Sequence, residues 1–172
     1  MIPVDVLTVL GPGRTICEPV LSVLENQGDV ELKHHIVDGT PMPGERERDA
    51  IVRARNQAKQ LGTAHYAMFW DDDVVLPPLG IEKLVYTLIF NPRYVAIGID
   101  YQNFIQTSPW TIHVAMGAVL FIRPILARIR FRHEPDKCEC LCCCEDIRRM
   151  GYCIGYIPGL RAEHLKDTQK TG

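Results

Sequence analysis

Tyr66-Ala67-Met68-Phe69-Trp70 is an unbroken apolar run that stops abruptly at Asp71-Asp72-Asp73. A strand apolar on both faces has to sit inside a sheet that is covered on both sides, which in practice means a parallel sheet flanked by helices. The rest of the first hundred residues agrees with that demand. Val4 to Leu10 is short, β-branched and apolar, and the turn Gly11-Pro12-Gly13 ends it. Cys17 to Gln27 has helical apolar spacing at Val20, Leu21, Val23 and Leu24, stopped by Gly28. A second strand over Val30 to Val37 closes at Asp38-Gly39, and Thr40 to Glu45 is a loop. Helices are predicted over Arg46 to Leu61 and Ile81 to Phe90, and a strand over Tyr94 to Ile99.

Strand and helix therefore alternate, which specifies an α/β fold with helices on both faces of a sheet. Ligands of such sheets bind beyond the carboxyl ends of the strands. Leu10, Asp38 and Asp71 all fall at such ends. The second half is less regular. Val114 to Ile122 is apolar and rich in small residues, Pro124 to Ile129 reads as a short helix, and Asp146 to Met150 as part of another. Tyr152 to Ile157 reads as a strand. At 172 residues the chain suits a single domain. Residues up to about 100 form one half, residues 101–165 a second, and residues 166–172 a polar tail.

The acidic triplet is the strongest chemical signal. On an extended segment Asp71 and Asp73 share a face and Asp72 points elsewhere. Adjacent carboxylates repel one another unless a positive charge stands among them, and a hard cation such as Mg²⁺ or Mn²⁺ meets that need. The competing reading is a solvated acidic turn that caps a helix.

Four pieces of the chain, in order, resemble the GT-A glycosyltransferases, in particular family 2. They are the first strand and its turn, Arg53-Ala54-Arg55-Asn56, Phe69-Trp70-Asp71-Asp72-Asp73 (similar to an Asp-x-Asp motif) and Met116-Gly117-Ala118-Val119-Leu120-Phe121-Ile122-Arg123. Glu145-Asp146, Arg149, Gly151, Pro158 and His164 follow in a similar order. The resemblance implies a three-layer α/β/α sandwich on a central, mostly parallel mixed sheet. It further implies an enzyme that moves a sugar from a UDP- or GDP-type nucleotide-diphospho-sugar to a hydroxyl of a carbohydrate or other acceptor, with Mn²⁺ or Mg²⁺.

By the same resemblance Asp73 holds the metal, with Asp71 assisting or contacting the ribose, and His164 is a further metal or phosphate ligand. Leu10, Gly11, Pro12, Asp38, Arg55, Asp71 and Asp72 contact the nucleotide-sugar. Asp146 is the general base, with Glu145 its rival, and one base implies an inverting displacement. Gly117 opens the acceptor-side strand, and Trp110 and His113 precede it, for sugar stacking or for loop packing.

Five of the seven cysteines lie between Cys138 and Cys144, a poor disulfide framework and a sign of free thiols. Cys140 and Cys143 have C-x₂-C spacing, and Cys138 and Cys144 could complete four thiolates, although four ligands in seven residues are crowded. Two other functions thus stand beside sugar transfer. One is a nucleotidyltransferase using Mg²⁺, for which Gly11-Pro12-Gly13-Arg14 is a faint phosphate loop. The other is a zinc-binding interaction module. A net charge of -2 gives no basic field for nucleic acid. No apolar run is long enough to span a membrane, and Met1 to Asp5 lacks a signal-like positive region, so a cytoplasmic location is expected.

Overall fold

The computed structural model of the chain describes residues 1–25, 27–100, 110–111 and 113–165, with the side chains of Trp110 and Thr111 outside the description. The polar tail, 166–172, lies outside the described residues. In chain order the elements are β1 (Ile2–Leu10), α1 (Glu18–Leu24), β2 (Val30–Asp38), α2 (Glu47–Ala58), β3 (Tyr66–Trp70), β4 (Val74–Val75) and α3 (Gly80–Phe90). Then come β5 (Tyr94–Asp100), β6 (Trp110–Thr111), β7 (Ala118–Ile122), α4 (Arg123–Arg128), α5 (Glu139–Arg149), β8 (Cys153–Arg161) and β9 (Glu163–His164).

Seven strands form one sheet in the order β2-β1-β3-β7-β5-β8-β6. The β1·β2, β1·β3 and β5·β8 pairs are parallel, whereas β7 runs against both its neighbours β3 and β5. The sheet is thus mixed, as expected, with antiparallel β7 at the centre, between strands of the first half, and antiparallel β6 at the edge beside β8. The apolar run is explained by its two neighbours and its two cores. Ala67 and Phe69 enter the core beneath α4 and α5, and Met68 and Trp70 enter the one beneath α1 and α3. β7 divides the same way, with Val119 and Phe121 on one side and Ala118 and Leu120 on the other. Burying both faces of a strand requires a helix layer on each, and that makes the three-layer sandwich.

One element reaches further than the sequence reading. Helix α5, of which Asp146 to Met150 was read as a part, begins at Glu139, so Cys140, Cys142, Cys143 and Cys144 lie inside it and Cys138 is its N-cap. Cys142, Cys143, Cys144 and Ile147 are buried, because thiols at helical spacing serve as small apolar side chains. Burial pushes the Cys144 thiol up to about 11, and all seven cysteines are free. Among the described residues no helix is long and apolar enough to cross a membrane.

Candidate active site

A cleft of about 740 Å³ opens beyond the carboxyl ends of β1, β2 and β3. Its walls include Val9 near the end of β1, Gly11, Pro12 and Arg14 after it, Gly39 after β2, Arg55 of α2, the Asp71–Asp73 triplet, and His164. Gly39 is fitted to a close approach, since a Cβ there would lie 2.6 Å from Val9 Cγ1 and 2.9 Å from the Leu10 carbonyl.

The backbone of the triplet is clamped by three separate segments. Asp71 N–H donates to the Gly117 carbonyl at 2.9 Å, Cys17 N–H to the Asp72 carbonyl at 3.3 Å, and Leu165 N–H to the Asp73 carbonyl at 2.9 Å. The Trp70 indole N–H donates to the Val74 carbonyl at 2.6 Å, across a turn closed by Val74 N–H on the Asp71 carbonyl at 3.3 Å. That turn corrects the extended geometry expected for the triplet. Asp72 does not face away from Asp73: both are buried, and both meet the Arg14 guanidinium. Nε lies 2.9 Å from Asp72 Oδ2 and Nη2 donates to Asp73 Oδ2 at 2.8 Å. Burial, opposed by Arg14, holds the Asp72 carboxyl above its ordinary range. The β4·β9 pair sets Val74 opposite His164, which brings His164 Nε2 to 3.5 Å from Asp73 Oδ1.

Arg55 organises the opposite wall. Its Nη1 donates to the Met116 carbonyl at 3.3 Å, Nη2 lies 3.5 Å from Asp71 Oδ1, and Nε lies 3.8 Å from Glu139 Oε1. Its guanidinium stands 5.5 Å over the Phe69 ring. Asn56 ties α2 to the segment between α4 and α5 by exchanging hydrogen bonds with the Phe131 backbone, at 2.8 and 3.0 Å.

Of the residues singled out in the sequence, Gly11, Pro12, Arg55, Asp71, Asp72, Asp73 and His164 line this one cleft, and the Gly117 carbonyl supports it. Leu10 and Asp38 are not among its walls. Val9 and Gly39 take those places, and Asp38 accepts from Thr40 N–H at 2.8 Å in a local turn. Glu145 and Asp146 are also outside it. Glu145 pairs with Lys137 at 2.8 Å, and Asp146 pairs with Arg132 at 2.5 Å. The reason is the early start of α5: Asp146 lies seven residues along the helix from Glu139, about 10 Å from its beginning. Glu139 and Cys17 were not singled out as site residues in the sequence, and Arg14 entered only through the faint phosphate loop Gly11-Pro12-Gly13-Arg14. The Trp110 side chain lies outside the described residues. His113 stands beside the N-terminus of α5, its Nε2 3.5 Å from Cys138 Sγ. The Cys140 thiol, with the Leu141 amide, draws the Cys138 thiol below its ordinary range.

A doubly covered mixed sheet with an acid triplet at the end of a central strand agrees with the GT-A glycosyltransferase fold that the sequence resemblance implied. The family model described as glycosyl transferase family 2 matches residues 44–153, and the chain belongs to that family. Among solved structures the chain is similar to the mannosyltransferase PcManGT from Pyrobaculum calidifontis, solved in complex with GDP-Man and Mn2+. The TM-score is 0.66 and the identity 16%, over 94% of this chain and 56% of that one. It is similar to S. aureus TarS at a TM-score of 0.66 and 14% identity, over 94% of this chain and 59% of that one. It is also similar to the protein A197 from STIV, at 0.59 and 13%, over 95% and 85%. The chain thus spans little more than half the length of the first two. No curated protein sequence matches it.

Proposed function

We propose that the chain transfers a sugar from a nucleotide-diphospho-sugar of the UDP or GDP type to an acceptor hydroxyl, with the donor seated in the cleft of the Asp triplet. The observation that carries this reading is the convergence of Asp71, Asp72, Asp73, Arg14, Arg55 and His164 on one cleft at the strand ends. Its volume suits a small-molecule ligand.

The donor set also fits a hard divalent cation, Mn²⁺ or Mg²⁺. Asp72 Oδ2 is a buried carboxylate oxygen offset by the Arg14 guanidinium at 2.9 Å, and Asp73 and His164 offer an oxygen and a nitrogen 3.5 Å apart. Asp73 and His164 would hold the ion, with Asp71 beside them. When bound, the ion offsets the charge that develops on the departing nucleoside diphosphate. Arg14, 37% exposed at the mouth, releases the carboxylates and takes up diphosphate oxygens instead. Gly11 and Pro12 line the wall against which the base lies.

Glu139 replaces Asp146 as the general base of this proposal. It is the carboxylate that shares the Arg55 guanidinium with Asp71, and it stands in the first turn of α5. Glu139 takes the proton of the acceptor hydroxyl as that oxygen attacks the anomeric carbon, and the nucleoside diphosphate leaves from the opposite face. One base and one displacement invert the configuration. The test is a calorimetric titration with UDP, GDP and their sugar conjugates, with Mn²⁺ and with chelator. Metal-dependent binding of one base supports the proposal. Absence of binding to every nucleotide overturns it.

A further inference from the structure

The cysteines of α5 divide into two groups. Cys142, Cys143 and Cys144 turn inward and are buried, which removes the C-x₂-C pair of Cys140 and Cys143 as a ligand set. Cys138 and Cys140 remain at the start of the helix, outside the Asp-triplet cleft, and His113 meets them there. One ligand atom from each of His113, Cys138 and Cys140 lies within 4.8 Å of the other two. Among the described residues this is the one group of three histidine, cysteine or carboxylate side chains that converges so closely.

We propose that His113, Cys138 and Cys140 bind a zinc ion. The ligand types are those of a Cys₂His site, which a soft-to-borderline cation prefers to a hard one. The spacing fits as well. With bonds of 2.3 Å to sulfur and 2.0–2.1 Å to nitrogen, a tetrahedral ion sets sulfur and nitrogen about 3.6 Å apart. Cys138 Sγ and His113 Nε2 stand 3.5 Å apart. Cys138 is the N-cap residue, so its sulfur points beyond the helix end, accepting from Leu141 N–H at 3.4 Å. Cys140, half-buried, presents its sulfur 3.6 Å from Glu139 Oε1. The fourth position falls to water.

Zinc here has a structural consequence, and through Glu139 it bears on the base of the proposed transfer reaction. His113 precedes β7 and the two cysteines open α5, so one ion ties together segments 25 residues apart in sequence. It also fixes the residue between the two thiolates, Glu139. This site is distinct in chemistry from the Asp triplet, and the two respond to different metals and different variants.

The experiment is Co²⁺ titration of the reduced, metal-stripped full chain, read by the thiolate-to-cobalt charge-transfer absorption, with displacement by Zn²⁺. The expected result is one equivalent bound with a charge-transfer band that Zn²⁺ abolishes. Cys138→Ser and Cys140→Ser should each weaken binding by at least about 10-fold and reduce the band, and His113→Ala should weaken binding with the band retained. Cys153→Ser and Asp73→Asn should leave the band intact. A parent protein without the band, or Cys138→Ser and Cys140→Ser proteins that fold as judged by circular dichroism yet keep it undiminished, overturns the site. So does a Cys138–Cys140 disulfide that persists under reductant.

Discussion

Arg14 Nη2 donates to Asp73 Oδ2 at 2.8 Å while its Nε lies 2.9 Å from Asp72 Oδ2. One guanidinium therefore occupies the position between two buried carboxylates that a divalent cation would neutralise. Both roles draw on the same charge, and the first prediction follows from that competition. Arg14→Ala should tighten Mn²⁺ binding in the absence of nucleotide, since the carboxylates lose their internal partner. It should also weaken nucleoside diphosphate binding by about 10-fold, the loss of roughly one charge-assisted contact. Calorimetry with metal alone and with metal plus nucleotide separates the two. A variant weakened equally for both ligands contradicts the exchange.

Asp73→Asn should abolish metal-dependent nucleotide binding. Substitutions one shell out from a metal cost roughly 10–100-fold in affinity, so loss of a direct ligand should exceed about 100-fold. His164→Ala should give a smaller loss, because its imidazole approaches Asp73 only from the β9 side. Metal-dependent binding retained in Asp73→Asn would remove the ion from this position.

Asp72 carries a stability prediction of the opposite sign. Burial holds its carboxyl above the ordinary range despite Arg14. A raised folded pKa contributes stability that is complete below the unfolded carboxylate range and is lost as pH rises through the folded value. At neutral pH Asp72 therefore works against the metal-free fold. Asp72→Asn should stabilise it by about 1 kcal/mol, or a few degrees in Tm, while impairing donor binding. Thermal unfolding in chelator at acid and neutral pH measures this. A gain at acid pH equal to that at neutral pH would detach it from ionisation.

Glu139→Gln should lower kcat by about 10²–10⁴ and spare donor binding, as removal of a general base does. Asp146→Asn should leave kcat near the parent value and cost about 1 kcal/mol, because Arg132, held charged by Asp146 and Glu134, keeps only the latter pair. Kinetics with saturating donor on both variants decides between the two carboxylates. A large kcat loss in Asp146→Asn with none in Glu139→Gln would return the base to the middle of α5.

What the sequence made legible was whatever depends on periodicity and position. The apolar lead-in to Asp71 is a central strand, the strand ends do gather at one edge, and both follow from two-faced burial. What depends on rotation about a turn or on distant pairing was not legible. Extended geometry separated Asp72 from Asp73, whereas the Val74 N–H bond to the Asp71 carbonyl turns them toward Arg14. Arg14 left a trace, since it is the cation in a Gly-Pro-Gly-Arg loop at a strand end. Glu139 was hidden because a helix of cysteines carries none of the usual apolar markers, so only its last part, Asp146 to Met150, was legible as helix. The approach of His113 to Cys138 joins positions 25 residues apart and has no local signature.

The far end of β1 yields the last prediction. Asp5 is buried between Arg123 Nη2 at 2.6 Å, His35 Nε2 at 2.7 Å and the Ala64 N–H at 2.8 Å. Burial alone would raise its carboxyl, but the hydrogen bonds and charge of these partners together hold it below the ordinary range. A lowered folded pKa contributes stability that is present above the unfolded carboxylate range and is lost as pH falls through the folded value. Asp5→Asn should therefore cost roughly 3 kcal/mol at neutral pH, leaving Arg123 without its carboxylate, and the deficit should shrink on acidification. Gly62 gives an independent check. Its φ is +75° and a Cβ there would lie 2.1 Å from Asp5 Cγ, so Gly62→Ala both strains the backbone and displaces the carboxylate. That substitution should cost at least about 2 kcal/mol at every pH where Asp5 is ionised. Urea unfolding of the parent and both variants, from neutral pH down through the carboxylate range, reads both effects. An Asp5→Asn protein with the same deficit throughout would mean that the contact is one of shape rather than charge.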